Sequence, residues 1–289
     1  MSNDLPAISI PVDLTNPGQF FACCGLFELA DRLWPGAEAW FERETLRSTF
    51  RIAASRRVSE SNADLSPTLS ELLGSAKALQ FDVGNTEDNS EEDEDNLPLD
   101  PIIIQSPVHL VLDWWSEKSI KPWAGSMKER LILNAMLKSI DPESPDPMNY
   151  TKAVFDPSAP PEPGKRAKKP KKREPFYFDC RRGSNAHPLD SGFSPDKHHF
   201  ESCCFPTVES MCFIGLQRCR PTVPDDDAPN RSVYTVWTAR LPVNVIGPVV
   251  SGLVNISGSL AFTFDNFFRT DQKKHKSYSR ATNTRSNNV

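Results

Sequence analysis

The sequence predicts an α+β fold: mixed or antiparallel sheets packed against helices, with ferredoxin-like (RRM-like) elements as one arrangement and disordered charged insertions outside the core. Three observations lead to this class. The N-terminal third reads strand, helix, strand, helix. Hydrophobic residues make up 38% of the 289 residues, which supports a sizeable core. Twenty-six prolines and dense charge runs indicate segments outside that core.

The N-terminal region, residues 1–83, supplies the first four predicted elements. Residues 7–14 alternate apolar and polar side chains, as a strand does. Asn16 followed by Pro17 is a helix-start signal, and the helix is predicted to end before Pro35. We expect the apolar side chains to define the buried side and Glu28, Asp31 and Arg32 to lie on the other side.

A second strand is predicted at 45–54 and a helix from Ser66 to about Leu79. Residues 84–99 follow, and seven of the nine residues 87–95 are acidic. Because this run is polar, aperiodic and self-repelling, we predict a disordered loop.

The rest of the predicted core spans 100–268. It holds a strand or hairpin at 102–115 and a helix from about Ser126 to Ile140. Further strand-like and helical segments are 176–182, 206–221, 232–243 and 257–268. Proline-rich residues 141–175, which include a basic run, are predicted to form a flexible insertion, and 269–289 a basic polar tail.

Several features limit the classes of protein and the compartment. No apolar run approaches the length of a membrane span, and the N-terminus lacks the basic and apolar regions of a signal peptide. We therefore expect a cytoplasmic protein without membrane contact. Its seven cysteines are then reduced thiols and not a disulfide framework.

The adjacent Cys23 and Cys24 raise the question of a reactive or metal site. Neighbouring residues on a helix point about 100° apart, so these two do not face one partner together. Cysteine is among the most buried residue types, which favours simple packing. A second group is richer in nitrogen and sulfur ligands but has no C-x2-C spacing, so structural zinc stays an open alternative. That group is Cys180, His187, His198, His199, Cys203, Cys204, Cys212 and Cys219.

Catalytic motifs are missing from the sequence. It contains no nucleophile elbow, no phosphate-binding loop and no H-E-x-x-H pair, and no cofactor is predicted. Ser184 and His187 are close in sequence, and a nuclease that uses His187 as a general acid or base is the enzymatic alternative. We expect the chain not to be an enzyme.

Positive charge is concentrated although the net charge is −5. Residues 165–173 carry seven basic groups, and the C-terminal stretch adds more, with Phe267, Phe268 and Tyr278 interleaved. Such segments neutralise phosphates and stack bases, although a solvated loop is the plain alternative. The predicted nucleic-acid-binding residues are Lys165, Arg166, Lys168, Lys169, Lys171, Lys172, Arg173, Arg181, Arg182, Arg269, Lys273, Lys274, Lys276 and Arg280.

Four stretches in this order resemble a known family. They are NPGQFFACCGLFELADRLWPGAEAWF, KPWAGS, the FDCRRGSNAHPLDSGFSPD segment with FPTVESMCFIGLQRCRP, and YTVWTARLPV with RTDQKKHKSYSRA. Together they resemble a subunit family of the type I-U, or I-G, CRISPR–Cas effector complex, which is similar to Cascade. The two charge runs, 87–95 and 165–173, are not part of the resemblance.

The resemblance implies a non-catalytic subunit of a ribonucleoprotein that acts in antiviral defence. Its partners would be guide RNA, target DNA or both, and other CRISPR effector subunits. In such assemblies base pairing reads the sequence while protein holds backbone and shape. A reduced large subunit and a ferredoxin-like subunit along the RNA are both open roles. A protein–protein scaffold or regulator that uses the charge runs is the third alternative.

Overall fold

The computed structural model describes ten segments of the chain, and all structural statements below concern these residues. They are residues 8–43, 48–55, 66–83, 100–116, 119–123, 127–157, 170–182, 203–224, 227–269 and 276–284. The predicted acidic loop 84–99 lies outside them.

Five α-helices are found in these segments: α1 (Pro17–Leu33), α2 (Leu69–Lys77), α3 (Glu129–Lys138), α4 (Pro206–Gly215) and α5 (Val243–Val250). The strands are β1 (Ile8–Val12), β2 (Glu38–Arg43), β3 (Ser48–Ala53), β4 (Ile102–Ile104), β5 (Leu110–Leu112), β6 (Arg231–Val236), β7 (Leu241–Pro242), β8 (Leu260–Phe268), β9 (Lys276–Tyr278) and β10 (Thr282–Thr284). All strand pairs are antiparallel, so the predicted α+β class with antiparallel sheets and packed helices is confirmed.

The first sheet has the order β1-β3-β2-β7. Since β1 and β2 are each antiparallel to the strand between them, they run parallel to one another, and α1 connects them. This split β-α-β unit is the ferredoxin-like element that the sequence suggested. The fourth strand, β7, lies beside β2 and not on the outer side of β1, so the sheet as a whole departs from the ferredoxin-like order.

The second sheet has the order β10-β8-β6, and β9 also pairs with β8. β4 and β5 form a separate two-stranded hairpin, as predicted for 102–115. The predicted tail therefore contains two strands. Within it Tyr278 is fully buried and donates a hydrogen bond from its hydroxyl to the Ile120 carbonyl at 2.7 Å. Its ring packs in the core, so it cannot stack a base as the sequence suggested.

Helix α1 lies at the centre of the molecule and is buried on almost every side. Phe20 stacks on Tyr234 of the second sheet at 4.5 Å between ring centroids and on Phe41 of the first at 5.4 Å. The prediction that Glu28 faces outward is wrong. Because both sides of α1 are covered, Glu28 is only 5% exposed and is paired with Arg32 and Arg218.

Helices α1 and α4 approach until their backbones touch. A Cβ at Gly25 would lie 2.0 Å from the Met211 carbonyl oxygen, and one at Gly215 would lie 2.0 Å from the Phe21 carbonyl oxygen. No side chain fits at either position. Cys23 and Cys24 are buried in this packing, and burial raises the pKa of both thiols.

Residues 176–182 do not form the predicted strand. Tyr177 takes a left-handed backbone conformation, with φ of 70°, which interrupts an extended chain, and residues 180–182 form a 3-10 turn. The described parts of the predicted insertion 141–175 lie against the core, where Met148 and Val154 are buried. In the described segments no helix has the length and apolar character required to cross a membrane.

Candidate functional site

A cleft of about 610 Å³ opens beside the N-terminal end of α1. The turn after β1, the β2–β3 end of the first sheet, residues 146–149 and the start of β8 surround it. The polar and charged lining residues include Arg43, Arg181, Gln19, Asn149, Asn283 and Ser48. The cleft is thus formed where both sheets meet the central helix.

A buried polar network below the cleft fixes the start of α1. The Asn16 side chain caps the helix by accepting from the Gly18 amide at 3.1 Å, and it donates to Asp179 at 3.0 Å. A Cβ on Gly18 would lie 2.5 Å from the Phe178 carbonyl oxygen. Asn16 and Gly18 therefore let the 176–182 segment lie directly on the helix N-terminus.

Glu209 of α4 holds the same segment from the other side. Its carboxyl oxygens accept hydrogen bonds from the Phe178 and Asp179 amides, both at 3.2 Å. Burial, reinforced by the charge of Asp179, raises the pKa of Glu209 to about 7 against the opposing effect of these amides. Two of the four stretches that carry the family resemblance, the first with Asn16 and the third with Asp179 and Glu209, thus converge on one network.

Arg181 connects this network to the cleft. Its guanidinium donates to Asp179 at 2.8 and 2.6 Å and to the Met148 carbonyl at 2.7 Å. The guanidinium carbon also lies 3.5 Å from the Phe205 ring centroid. Arg181 is therefore a guanidinium held in one orientation at the cleft wall. Its charge is paired with the buried Asp179, and four of its five N–H groups are engaged within the fold.

The opposite wall is the turn after β1. The Asp13 amide donates to Gln19 at 2.7 Å, and the Thr15 hydroxyl donates to the Asp13 carboxylate at 2.6 Å. Arg280 donates to Asp13 at 2.9 Å and to Thr15 at 2.6 Å. Of the predicted nucleic-acid-binding residues, Arg181 lines the cleft, whereas Arg280 is bonded to the lining residues Asp13 and Thr15 without lining the cleft itself.

The lining offers hydrogen-bond donors for a negatively charged group and an apolar surface for a ring. Arg43 is exposed at the rim, and side-chain amides and hydroxyls supply further donors. Leu260 and Phe262 add an apolar surface. Asp13 and Asp146 also line the cleft, so a bound phosphate would lie on the arginine side.

The other described basic residues do not join this cleft. Arg173 forms a bidentate pair with Asp156, with the Nε contact at 2.6 Å, and Lys172 lies 3.8 Å from Glu174. Lys171 is exposed. These side chains lie apart from the cleft lining, and the first is committed to an internal partner.

Two more of the predicted residues contact the ring of Tyr177. Arg269 lies over its ring at 3.5 Å from the centroid, and Arg182, which is 9% exposed, at 5.3 Å. Lys276 donates to Asn230 at 3.0 Å, and partial burial lowers its pKa. These three side chains keep their positive charge but are engaged by a ring face or an amide oxygen within the fold.

Several predicted residues lie outside the described part of the chain. They are Lys165, Arg166, Lys168, Lys169, Lys273 and Lys274, together with His187 of the nuclease alternative and His198 and His199 of the suspected ligand group. Among the described residues, no group of three His, Cys, Asp or Glu side chains is arranged to hold a metal ion. Cys204, Cys212 and Cys219 are buried in the core.

Sequence reasoning missed Arg43, Gln19, Asn149 and Asn283. Each is a single polar residue without a dense charge run around it, so neither charge nor spacing marks it. Asn16 was recognised only as a helix cap, although its Nδ2 also holds Asp179.

Comparison with known proteins gives no further identification. Neither protein-family models, nor curated proteins, nor solved structures yield a match to this chain.

Proposed function

We propose that the chain is a non-catalytic, nucleic-acid-binding subunit of a type I-U (I-G) CRISPR effector complex that contacts guide RNA, target DNA backbone or both. The observation that carries the proposal is the cleft with Arg43 and Arg181 on its wall. The family resemblance also supports it, because two of its stretches, the first and the third, build the network that positions Arg181.

In this proposal Arg181 is the fixed contact and Arg43 the adjustable one. A phosphate meets the pre-oriented Arg181 without further ordering of that side chain, while exposed Arg43 closes onto the same strand. Leu260 and Phe262 receive the sugar or base. None of these groups reads sequence, which fits an assembly where the guide RNA does so.

The assembly is tested first by isolating the tagged chain from its native cells and sequencing the associated RNA. We expect short RNAs with one repeat–spacer pattern and co-purifying effector subunits. A protein free of RNA and of such subunits would overturn the CRISPR assignment. Protein partners without RNA would favour the scaffold alternative.

The cleft is tested by Arg43→Ala with a labelled single-stranded RNA. We expect weaker binding and a log–log salt slope smaller by about 1, the loss of one phosphate contact. Arg231→Ala is the matched control, because Arg231 is also an exposed arginine (54% side-chain exposure) but lies at the end of β6 away from the cleft. An unchanged slope would contradict the cleft, and cleavage of the RNA would favour the nuclease.

A further inference from the structure

The outer face of the first sheet differs sharply from its inner face. Inward residues of the three long strands, such as Ile10, Phe50 and Phe41, are at most 1% exposed. On the outer side the register aligns Ser9 with Arg51 and Arg51 with Trp40. A half-buried indole and a guanidinium thus lie side by side on neighbouring strands, which are roughly 4.8 Å apart.

Arg240 extends this row at the far side of β2. Its guanidinium carbon is 5.6 Å from the Trp40 ring centroid, and its Nε lies 2.6 Å from Glu38. Trp40 therefore has an arginine on each side along the row. We call Ser9, Arg51, Trp40 and Arg240 the Trp40 row.

Both arginines of the row have exchangeable partners. Arg51 contacts Glu42 at 2.7 Å, and the glutamate side chain is 48% exposed, while the Glu38 side chain beside Arg240 is 38% exposed. Exposed ion pairs contribute little net stability, so an incoming phosphate can replace a carboxylate at small loss. The arginine side chains are 24% (Arg51) and 42% (Arg240) exposed, and Arg51 also donates to the Ser9 hydroxyl. They are thus held near the indole by side chains of the same outer face.

The composition of this face favours a nucleic acid over a protein partner. The buried centre of a protein interface is depleted of charged residues and rich in apolar contacts. Here one large aromatic residue is surrounded by charged side chains. An aromatic ring flanked by arginines is the combination that stacks an unpaired base and neutralises its phosphates.

We propose that the Trp40 row binds single-stranded RNA: one unpaired base stacks on Trp40, and the flanking phosphates contact Arg51 and Arg240. Hydroxyls of Ser9 and Thr49 on the same face are suited to the ribose 2′-hydroxyl, which favours RNA over DNA. Pro11, Arg43 and Ser48 line the cleft at one end of this sheet, and none of the four residues of the Trp40 row lines it. The inference deepens the proposed function, on which it rests, by naming a second contact for the RNA.

The test uses the full chain and a fluorescein-labelled single-stranded polyuridine RNA in an anisotropy titration. For Trp40→Ala we expect affinity to fall about 5- to 150-fold, the range for loss of one base–aromatic stack. Trp40→Phe should retain most of the affinity because it keeps a ring. The matched control is Trp34→Ala, which removes another half-buried tryptophan, from the end of α1, and should leave affinity within about 2-fold.

Further variants separate the possible failures. Glu42→Gln should tighten binding, since it removes the carboxylate that competes for Arg51. A polydeoxyuridine DNA of the same length should bind more weakly than the RNA. Equal affinity for the two would overturn the preference for RNA. If a folded Trp40→Ala protein binds RNA normally while Arg43→Ala does not, the inference fails and the proposed function stands. If the wild-type protein does not bind RNA at all, both the inference and the proposed function fail.

Discussion

The α1–α4 helix pair and the Trp40 row use polar side chains in opposite ways. At the helix pair Asp179 and Glu209 are fully buried, and their oxygens accept from backbone amides and Arg181. On the outer sheet face the acids are exposed and each pairs with one arginine. Substitution in the first region removes a structural partner, whereas substitution in the second frees a surface side chain.

This difference changes how a basic residue is interpreted. Arg181 and Arg51 are both bonded to a carboxylate. The sequence analysis predicts only Arg181 as a nucleic-acid-binding residue. Arg181 is fixed by four hydrogen bonds, so replacing it disturbs the fold as well as any ligand contact. Within the described part of the chain the Arg51 side chain bonds only to Glu42 and Ser9 on the outer sheet face, so we expect the fold to tolerate its replacement, which makes it the cleaner probe of binding.

The largest expected effect is at the helix crossing. Gly25→Ala should lower the free energy of unfolding by about 3–5 kcal/mol or prevent folding, because its Cβ would lie 2.0 Å from a backbone oxygen and the helices would have to separate. Gly74→Ala in α2 is the matched control: nothing lies within 4 Å of its Cβ position. We expect it to stabilise by about 0.5–1 kcal/mol. Urea unfolding of both variants checks this, and equal losses would contradict the close approach.

The next effect is the pH dependence of stability from Glu209. Its pKa is about 7 in the folded protein and 4.5 ordinarily, so the folded state keeps the proton longer. Stability from this group is fully present below pH 4.5 and is lost as pH rises through 7, by roughly 3 kcal/mol. Urea unfolding across this window should show the fall, and Glu209→Gln should flatten it.

Glu28 provides the contrast for that experiment. Burial raises its pKa, but hydrogen bonds and charge from Arg218 and Arg32 outweigh burial, and the pKa lies below 4.5. Its contribution is present above pH 4.5 and is lost only as pH falls below that value. Glu28→Gln should therefore leave the slope between pH 4.5 and 7 unchanged; a flattened slope would show that Glu209 is not its source.

The smallest effect on stability is expected at the outer sheet face. Arg51→Ala should change the free energy of unfolding by about 1 kcal/mol or less, since it removes a partly exposed ion pair in which Arg51 is 24% and Glu42 48% exposed. The same variant should weaken RNA binding. Thermal unfolding and the anisotropy titration measure the two effects, and a large loss of stability would place Arg51 among the structural residues.

Local signals allowed much of the fold to be predicted. Asn16 and Pro17 correctly mark the start of α1, and alternation correctly gave β1. Helix α5 was missed because Gly247 and Pro248 are poor helix residues, yet Val243, Ile246 and Val250 bury one side of it. Strand β2 was missed because the outward Trp40 obscures the alternation.

The site was only partly accessible to sequence reasoning. Arg181 was marked by its basic neighbour and a preceding apolar segment. Asp179, which holds Arg181, is bonded to Glu209, 30 positions later in the chain, and this contact has no local signal because the two residues meet only in the folded protein. The burial of Glu28 had the same cause: a helical pattern shows which side is apolar, but not that a second layer covers the polar side.

The position of α1 also bears on how the chain acquires its structure. Phe20 stacks on Tyr234, and the Ala281 amide donates to the Thr15 carbonyl at 2.7 Å. Part of the surface that covers this early helix is therefore supplied by residues more than 200 positions later. Contacts over such separations form slowly, because a long loop must close first. A fragment ending before Tyr234 would leave Phe20 and Phe21 exposed to solvent, chaperones and other copies of itself.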